Sequence, residues 1–156
     1  MKAEIFNQTI SLEYPDDFSI MSEAEIKKFF GGDMIRFGVR NTEKHVILSL
    51  GKTEKSLMTL FASPKGVLSG AKNAFKNNLN DYQSLEEFDT LMLGKPAKGI
   101  RFSYSAIDAN VKQFCEMIVT KYKWNIYVSY CLARLDDKKE HEELFKKFKD
   151  SLELTK

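Results

Sequence analysis

The residues best suited to chemistry in this sequence fall short of every familiar catalytic arrangement. Gly51-Lys52-Thr53 has the ending of a phosphate-binding loop. Such a loop turns backbone N–H groups toward phosphate, which requires a glycine at position 46 and a helix starting at the lysine; Val46 and a strand-like run stand there instead. His141-Glu142-Glu143-Leu144-Phe145 opens like the zinc motif H-E-x-x-H, but Phe145 occupies the place of the second ligand. His45 and His141 are the only histidines, so no zinc site is expected. No G-x-S-x-G elbow occurs, and Cys115 and Cys131 lie inside apolar runs where a thiol stays neutral. The acidic residues Asp81, Glu86, Glu87 and Asp89 could do paired acid and base work if their environments differed, but they interrupt a strand. Charge that protects a solvated edge strand from aggregation explains them better. No catalytic residue, metal or cofactor is expected.

Binding chemistry is better represented. Between Glu54 and Asp81 there is no acid, while Lys55, Lys65, Lys72 and Lys76 add four positive charges. On one helix the spacings of seven and four put Lys65, Lys72 and Lys76 within about 40° of each other, a stripe about 16 Å long. Such a stripe suits an anionic protein surface, a lipid headgroup or a phosphate backbone, although an ordinary wet helix face has the same composition. Trp124, beside an expected Tyr122-Lys123 turn, is a single large aromatic at a loop end and the kind of residue that anchors a partner. Phe102, Tyr104, Tyr127 and Tyr130 lie on adjacent strands, as base-stacking residues do. The glycine and aromatic signature of RNA-binding sheets is missing, so core packing is the expected role.

These residues must be placed by an alternation of strands and helices. Thr9 to Tyr14 alternates as a strand and ends at Pro15. Ser22 and Glu25 form a capping box, Met21 and Ile26 a hydrophobic staple, and Gly31-Gly32 a helix stop. A hairpin follows, with Ile35, Phe37 and Val39 on one face of its first strand and Val46, Leu48 and Leu50 on one face of its second, then a helical turn from Leu57 to Phe61. Ser63-Pro64 starts a longer helix whose Leu68, Ala71, Phe75 and Leu79 form an apolar stripe. Four strands are expected over 82–93, 99–107, 111–121 and 124–133. A three-residue loop between the last two would set Cys115 opposite Cys131, and a two-residue loop would set it opposite Tyr130. The two-residue loop aligns Met117 and Val119 with Val128 and Ile126 and is preferred, leaving reduced thiols. A last helix starts near Asp137, with His141, Leu144, Phe145, Phe148 and Leu152 on its apolar side.

Short links between successive strands require antiparallel neighbours, because a parallel crossover needs a dozen or more residues. The expected class is therefore α+β: an antiparallel sheet covered by helices on its faces, with a C-terminal closing helix, all in one domain over residues 1–156. Composition agrees: 43% hydrophobic residues suffice for a core, and 24 basic against 22 acidic side chains leave only +2, too little to announce a nucleic-acid binder. No stretch is long and apolar enough to span a membrane, and the opening residues Met1 to Gln8 lack a signal-peptide core, so a cytoplasmic protein is expected unless a leader was removed.

In this order of elements the chain resembles the PsbP-like fold family, which includes the photosystem extrinsic subunit, the Ran-binding import factor of yeast and bacterial DcrB-type proteins. The resemblance rests on Ile10-Ser-Leu-Glu-Tyr-Pro-Asp-Asp-Phe18, the middle helix ending near Leu79, Gly94-Lys95-Pro96-Ala97 before a strand, and the closing Phe145 to Leu152 helix. It implies an antiparallel sheet sandwiched by helices and used as a binding or accessory module; it assigns no site residue. The expected function is a non-enzymatic binding protein that presents a sheet face or the lysine helix to a protein partner, with Lys65, Lys72, Lys76 and Trp124 as binding residues. The alternative is a small-ligand binder or enzyme with a pocket between sheet and helix, using Asp81, Glu86 or Glu87. Nucleic-acid binding through the lysines is the weakest reading, and the sequence does not set the oligomeric state.

Overall fold

The computed structural model describes residues 1–31, 34–54, 56–106, 111–136 and 138–155. It begins with a strand that the sequence reading does not anticipate, β1 (Lys2–Ile5), which turns through Phe6, Asn7 and Gln8 into β2 (Ile10–Glu13). All three turn residues have positive φ, near 54° to 62°, so no glycine marks the bend. After β3 (Ser19–Ile20) comes α1 (Glu23–Phe30), whose capping box between Ser22 and Glu25 is formed as expected and whose end is set by Gly31 at φ 76°. Gly32, the second residue of the expected stop, lies outside the described residues, as do Lys55, Ile107 and the Asp137 cap.

The hairpin β4 (Ile35–Asn41) and β5 (Val46–Lys52) is followed by α2 (Leu57–Phe61) and α3 (Pro64–Asn78). Next come β6 (Asn80–Met92), β7 (Lys95–Ser105), β8 (Lys112–Tyr122) and β9 (Asn125–Arg134), then α4 (Lys138–Asp150) and β10 (Glu153–Leu154). Strands β3 to β9 form one sheet in the order β3-β4-β5-β9-β8-β7-β6. Strands β1, β2 and β10 form a second, and every pairing is antiparallel.

Each face of the large sheet carries its own core, because strand side chains alternate. On one face, Ile10, Leu12 and Tyr14 beside the small sheet and Phe145, Phe148 and Leu152 of the C-terminal segment pack on Leu48, Leu50, Phe114 and Ile118. On the other, α3 lays Leu68, Ala71, Phe75 and Leu79 on Ile100, Phe102, Cys115, Met117 and Val128. The α+β class and the closing helix are therefore as expected. A sheet face open to a partner is not: both faces are covered, which leaves helix flanks, edges and ends as the accessible surfaces.

The β8–β9 register differs from the preferred one. Cys115 stands opposite Leu132, Met117 opposite Tyr130, and the turn is Lys123-Trp124. A slip of two residues keeps every side chain on its own face, so hydrophobic pattern does not discriminate between the two registers. The observed one places Lys123 at φ 55° in the turn and packs Tyr122 on the core. Cys115 and Cys131 are buried, unbonded, and belong to opposite faces.

Candidate docking surfaces

The lysine helix is built as its sequence dictates. Ser63 Oγ accepts the Gly66 N–H at 3.0 Å, Pro64 fills the first turn where no N–H is needed, and the apolar stripe fastens α3 to the sheet, with Phe75 stacked on Phe102 at 4.6 Å. Lys65 and Lys76 are left exposed on the flank, and Lys72 leans toward the edge strand β6. There Lys72 forms an ion pair with Glu87, and one step along the edge Lys98 pairs with Asp89. Lys65, Leu68, Lys72, Glu87, Phe88 and Lys98 are among the residues that line a cleft of about 310 Å³ between α3 and the sheet edge. Charges of both signs thus alternate beside the buried Leu68.

The acidic residues proposed for a pocket do not converge. Glu87 faces α3, whereas Glu86 points to the opposite face and pairs with Arg101, which also donates from Nε to Glu116 at 2.8 Å. Asp81 accepts a hydrogen bond from Ser105 Oγ at 2.8 Å. Adjacent residues on a strand point to opposite faces, so Glu86 and Glu87 cannot share a substrate. The strand itself is an edge, as its charge implies, and two register irregularities, between Asn80 and Gln83 and between Ser84 and Glu86, twist it.

Trp124 lies apart from Lys72 and Lys76. A continuous row, Ile35, Lys52, Tyr127, Thr120, Ala97 and Thr90, crosses the sheet near one end. Trp124 lies beyond that row, in the β8–β9 turn, and is 37% exposed. Lys65 starts α3 close to this end, whereas Lys76 is about 16 Å away along the helix. The sequence puts the three lysines on one helix and Trp124 at a separate loop end, and the fold keeps Lys72 and Lys76 on the flank and Trp124 at the end of the sheet.

Several features near these surfaces had no sequence signal. Arg36 is half-buried on the α1 side without a carboxylate partner among the described residues. Its Nη1 donates to Ser49 Oγ at 2.9 Å, and Phe30 lies over the guanidinium at 4.6 Å. Burial lowers its pKa to about 10. At the far end of the sheet, a cleft of about 550 Å³ brings together His45, His141, Arg134, Glu140, Glu143 and other polar residues. The histidines stand 96 positions apart in the chain, so neither local pattern nor spacing links them. No group of three or more metal-ligating side chains occurs among the described residues.

The remaining candidates are core. Phe102 is fully buried beneath α3, and Tyr127 belongs to the face opposite Phe102, so the aromatic strand residues present no base-stacking platform. Burial pushes the Cys131 thiol up to about 12 and Cys115 higher still, which keeps both protonated and unreactive at neutral pH. No described helix is long and apolar enough to cross a membrane.

No protein-family model and no curated protein sequence matches the chain significantly. Solved structures do. The solution structure of cyanobacterial PsbP from Synechocystis sp. PCC 6803 superposes with a TM-score of 0.69 at 13% identity, covering 99% of this chain and 91% of that one. The Saccharomyces cerevisiae Ran-binding protein Mog1p gives 0.63 at 8% identity over 99% and 94% of the two chains. LpqN of Mycobacterium tuberculosis, described as involved in cell envelope biogenesis, gives 0.60 at 18% over 94% and 83%. At these identities the likeness establishes the fold: the chain has the PsbP/Mog1-like architecture.

Proposed function

We propose that this protein is a small binding or accessory module that docks a protein partner along the flank formed by α3 and the edge strand β6, with Lys65, Lys72 and Lys76 facing the partner. The observation that carries this reading is the sign alternation in the flank cleft. Lys65 and Lys72 face Glu87, Asp89 and Lys98 beside the buried side chain of Leu68. A nucleic-acid backbone offers one sign of charge and would have to compete with Glu87 and Asp89 for Lys72 and Lys98, whereas a protein surface supplies both signs and apolar anchors. The Ran-binding description of Mog1p supports protein binding as a use of the shared scaffold. Because fold does not select a partner, the identity of the partner follows from the flank and not from that likeness.

Lys65 and Lys76 are exposed and outside the core, so reversing their charge leaves folding intact. The test is affinity capture on the immobilised full chain, wild type against the double variant Lys65→Glu and Lys76→Glu, at low and high salt. The expected result is a discrete stoichiometric protein held by the wild type, weakened by salt and reduced about tenfold or more in the variant. Identical retention by both proteins, or no retention by the wild type, would contradict the proposal.

A further inference from the structure

Four of the large apolar side chains that stay exposed, Ile35, Phe61, Leu91 and Trp124, gather at one end of the seven-stranded sheet, and Phe61 is 84% exposed. Ile35 lies on the end row described above, and Leu91 and Trp124 lie just beyond it. Phe61 joins them because Lys121, next to the β8–β9 turn, donates from Nζ to the carbonyls of Leu60 and Ala62 at 2.6 and 3.0 Å, which moors α2 to the same end. From Ile35 to Leu91 the row spans five inter-strand gaps, about 24 Å. Lysines surround it. Lys95 and Lys123 lie 5.0 and 5.3 Å from the Tyr122 ring centre, and Lys52 lies 5.9 Å from that of Phe6. None of these three has a carboxylate partner among the described residues, while Asp89, the nearest edge acid, is neutralised by Lys98. Acids at this end include the exposed Glu54, two residues after Lys52.

We infer that this end is a peripheral docking surface for an anionic lipid bilayer. The apolar side chains stand on turns and element ends and stay exposed, and the described clefts are lined by other residues. Exposed apolar groups of this kind enter the headgroup layer, where Trp124 finds the boundary of apolar and wet surroundings that its ring favours. Lys52, Lys95 and Lys123, whose ammonium groups lie over the rings of Phe6 and Tyr122, then reach anionic headgroups. An acidic protein offers the same charge but needs a surface shaped to four separate tips across about 24 Å, whereas a fluid bilayer adapts to them. This surface adjoins the α3–β6 flank near Lys65 but its proposed contacts are other residues, so neither proposal depends on the other.

Trp124 is the sole tryptophan, so its emission reports on this end alone. The experiment follows that emission, with vesicle sedimentation, for the full chain mixed with pure phosphatidylcholine vesicles and with vesicles containing about one-third phosphatidylglycerol. The expected result is a blue shift and sedimentation with the anionic vesicles only, weakened by salt. Phe61→Ser lowers the partition coefficient about tenfold, and Lys123→Glu lowers it about fivefold or more. Both side chains are exposed, and an unchanged circular dichroism spectrum checks that the variants fold. Absence of binding to anionic vesicles overturns the inference, and so does binding that persists unchanged in both variants or proceeds without a shift in Trp124 emission.

Discussion

Glu116 is buried on the α4 side of the sheet, and Arg101 stands between it and Glu86. Burial raises the Glu116 pKa, and the Arg101 guanidinium opposes that rise. With a folded-state pKa above the unfolded one, the stability this group contributes is full below the ordinary value of 4.5 and is lost as pH rises through the raised value. Arg101→Met removes the counter-charge, so it should cost about 3 kcal/mol at neutral pH. The loss should shrink as the pH is lowered toward the glutamate's ordinary range, which urea unfolding at a series of pH values will show; a pH-independent loss would mean that Arg101 acts through packing alone. The buried thiols make a second residue-scale prediction. Cys115 and Cys131 should resist alkylation at neutral pH in the folded protein and react in denaturant, with labelling read by mass; rapid native labelling of either would show that its core opens. A third concerns Gly99, which lies opposite Phe88: a Cβ there would fall 2.3 Å from the Phe88 ring. Gly99→Ala should therefore displace that ring and cost about 1–3 kcal/mol by thermal or urea unfolding.

At the scale of elements, α1, α3 and the β4–β5 hairpin were legible because caps, staples and apolar spacing are local. Ser22 with Glu25, and Ser63 with Pro64, act within one turn of where they stand. β1 was not legible, because its turn bends through Phe6, Asn7 and Gln8 with no glycine or proline to mark it, and its place depends on β2 pairing. The Lys72–Glu87 contact was also beyond reach: it depends on two irregularities in β6 that no local pattern positions. Of the candidate site, the lysine stripe was visible and the separation of Trp124 from Lys72 and Lys76 was not, since that separation is a matter of sheet order. The edge reading makes its own prediction. Replacing the charged pair partners Glu86 and Asp89 by valine should leave the fold intact but raise aggregation of β6, measured by light scattering on holding the protein at moderate temperature. Unchanged scattering would assign the protection of this edge to its irregularities instead.

Over the whole molecule, the two covered faces move the working surface to helix flanks, edges and ends. One core holds the small sheet and α4 against the large sheet, the other holds α3 against it, and together they occupy both sides. The accessible surfaces include the α3–β6 flank, the apolar and basic end, the polar cleft at the opposite end, and the β3–α1 edge with its exposed Ile20 and Phe29. A near-neutral total charge of +2 concealed this arrangement because basic and acidic segments meet across the flank. The most direct measurement of the docking role is a photo-crosslinker placed in turn at exposed Ser69 on the flank and at exposed Thr42 in the β4–β5 turn. Flank docking predicts a discrete crosslinked protein from position 69, lost when Lys65 and Lys76 are reversed to glutamate, and none from position 42. Equal crosslinking from both positions, or a crosslink at 69 that survives the charge reversal, would contradict it.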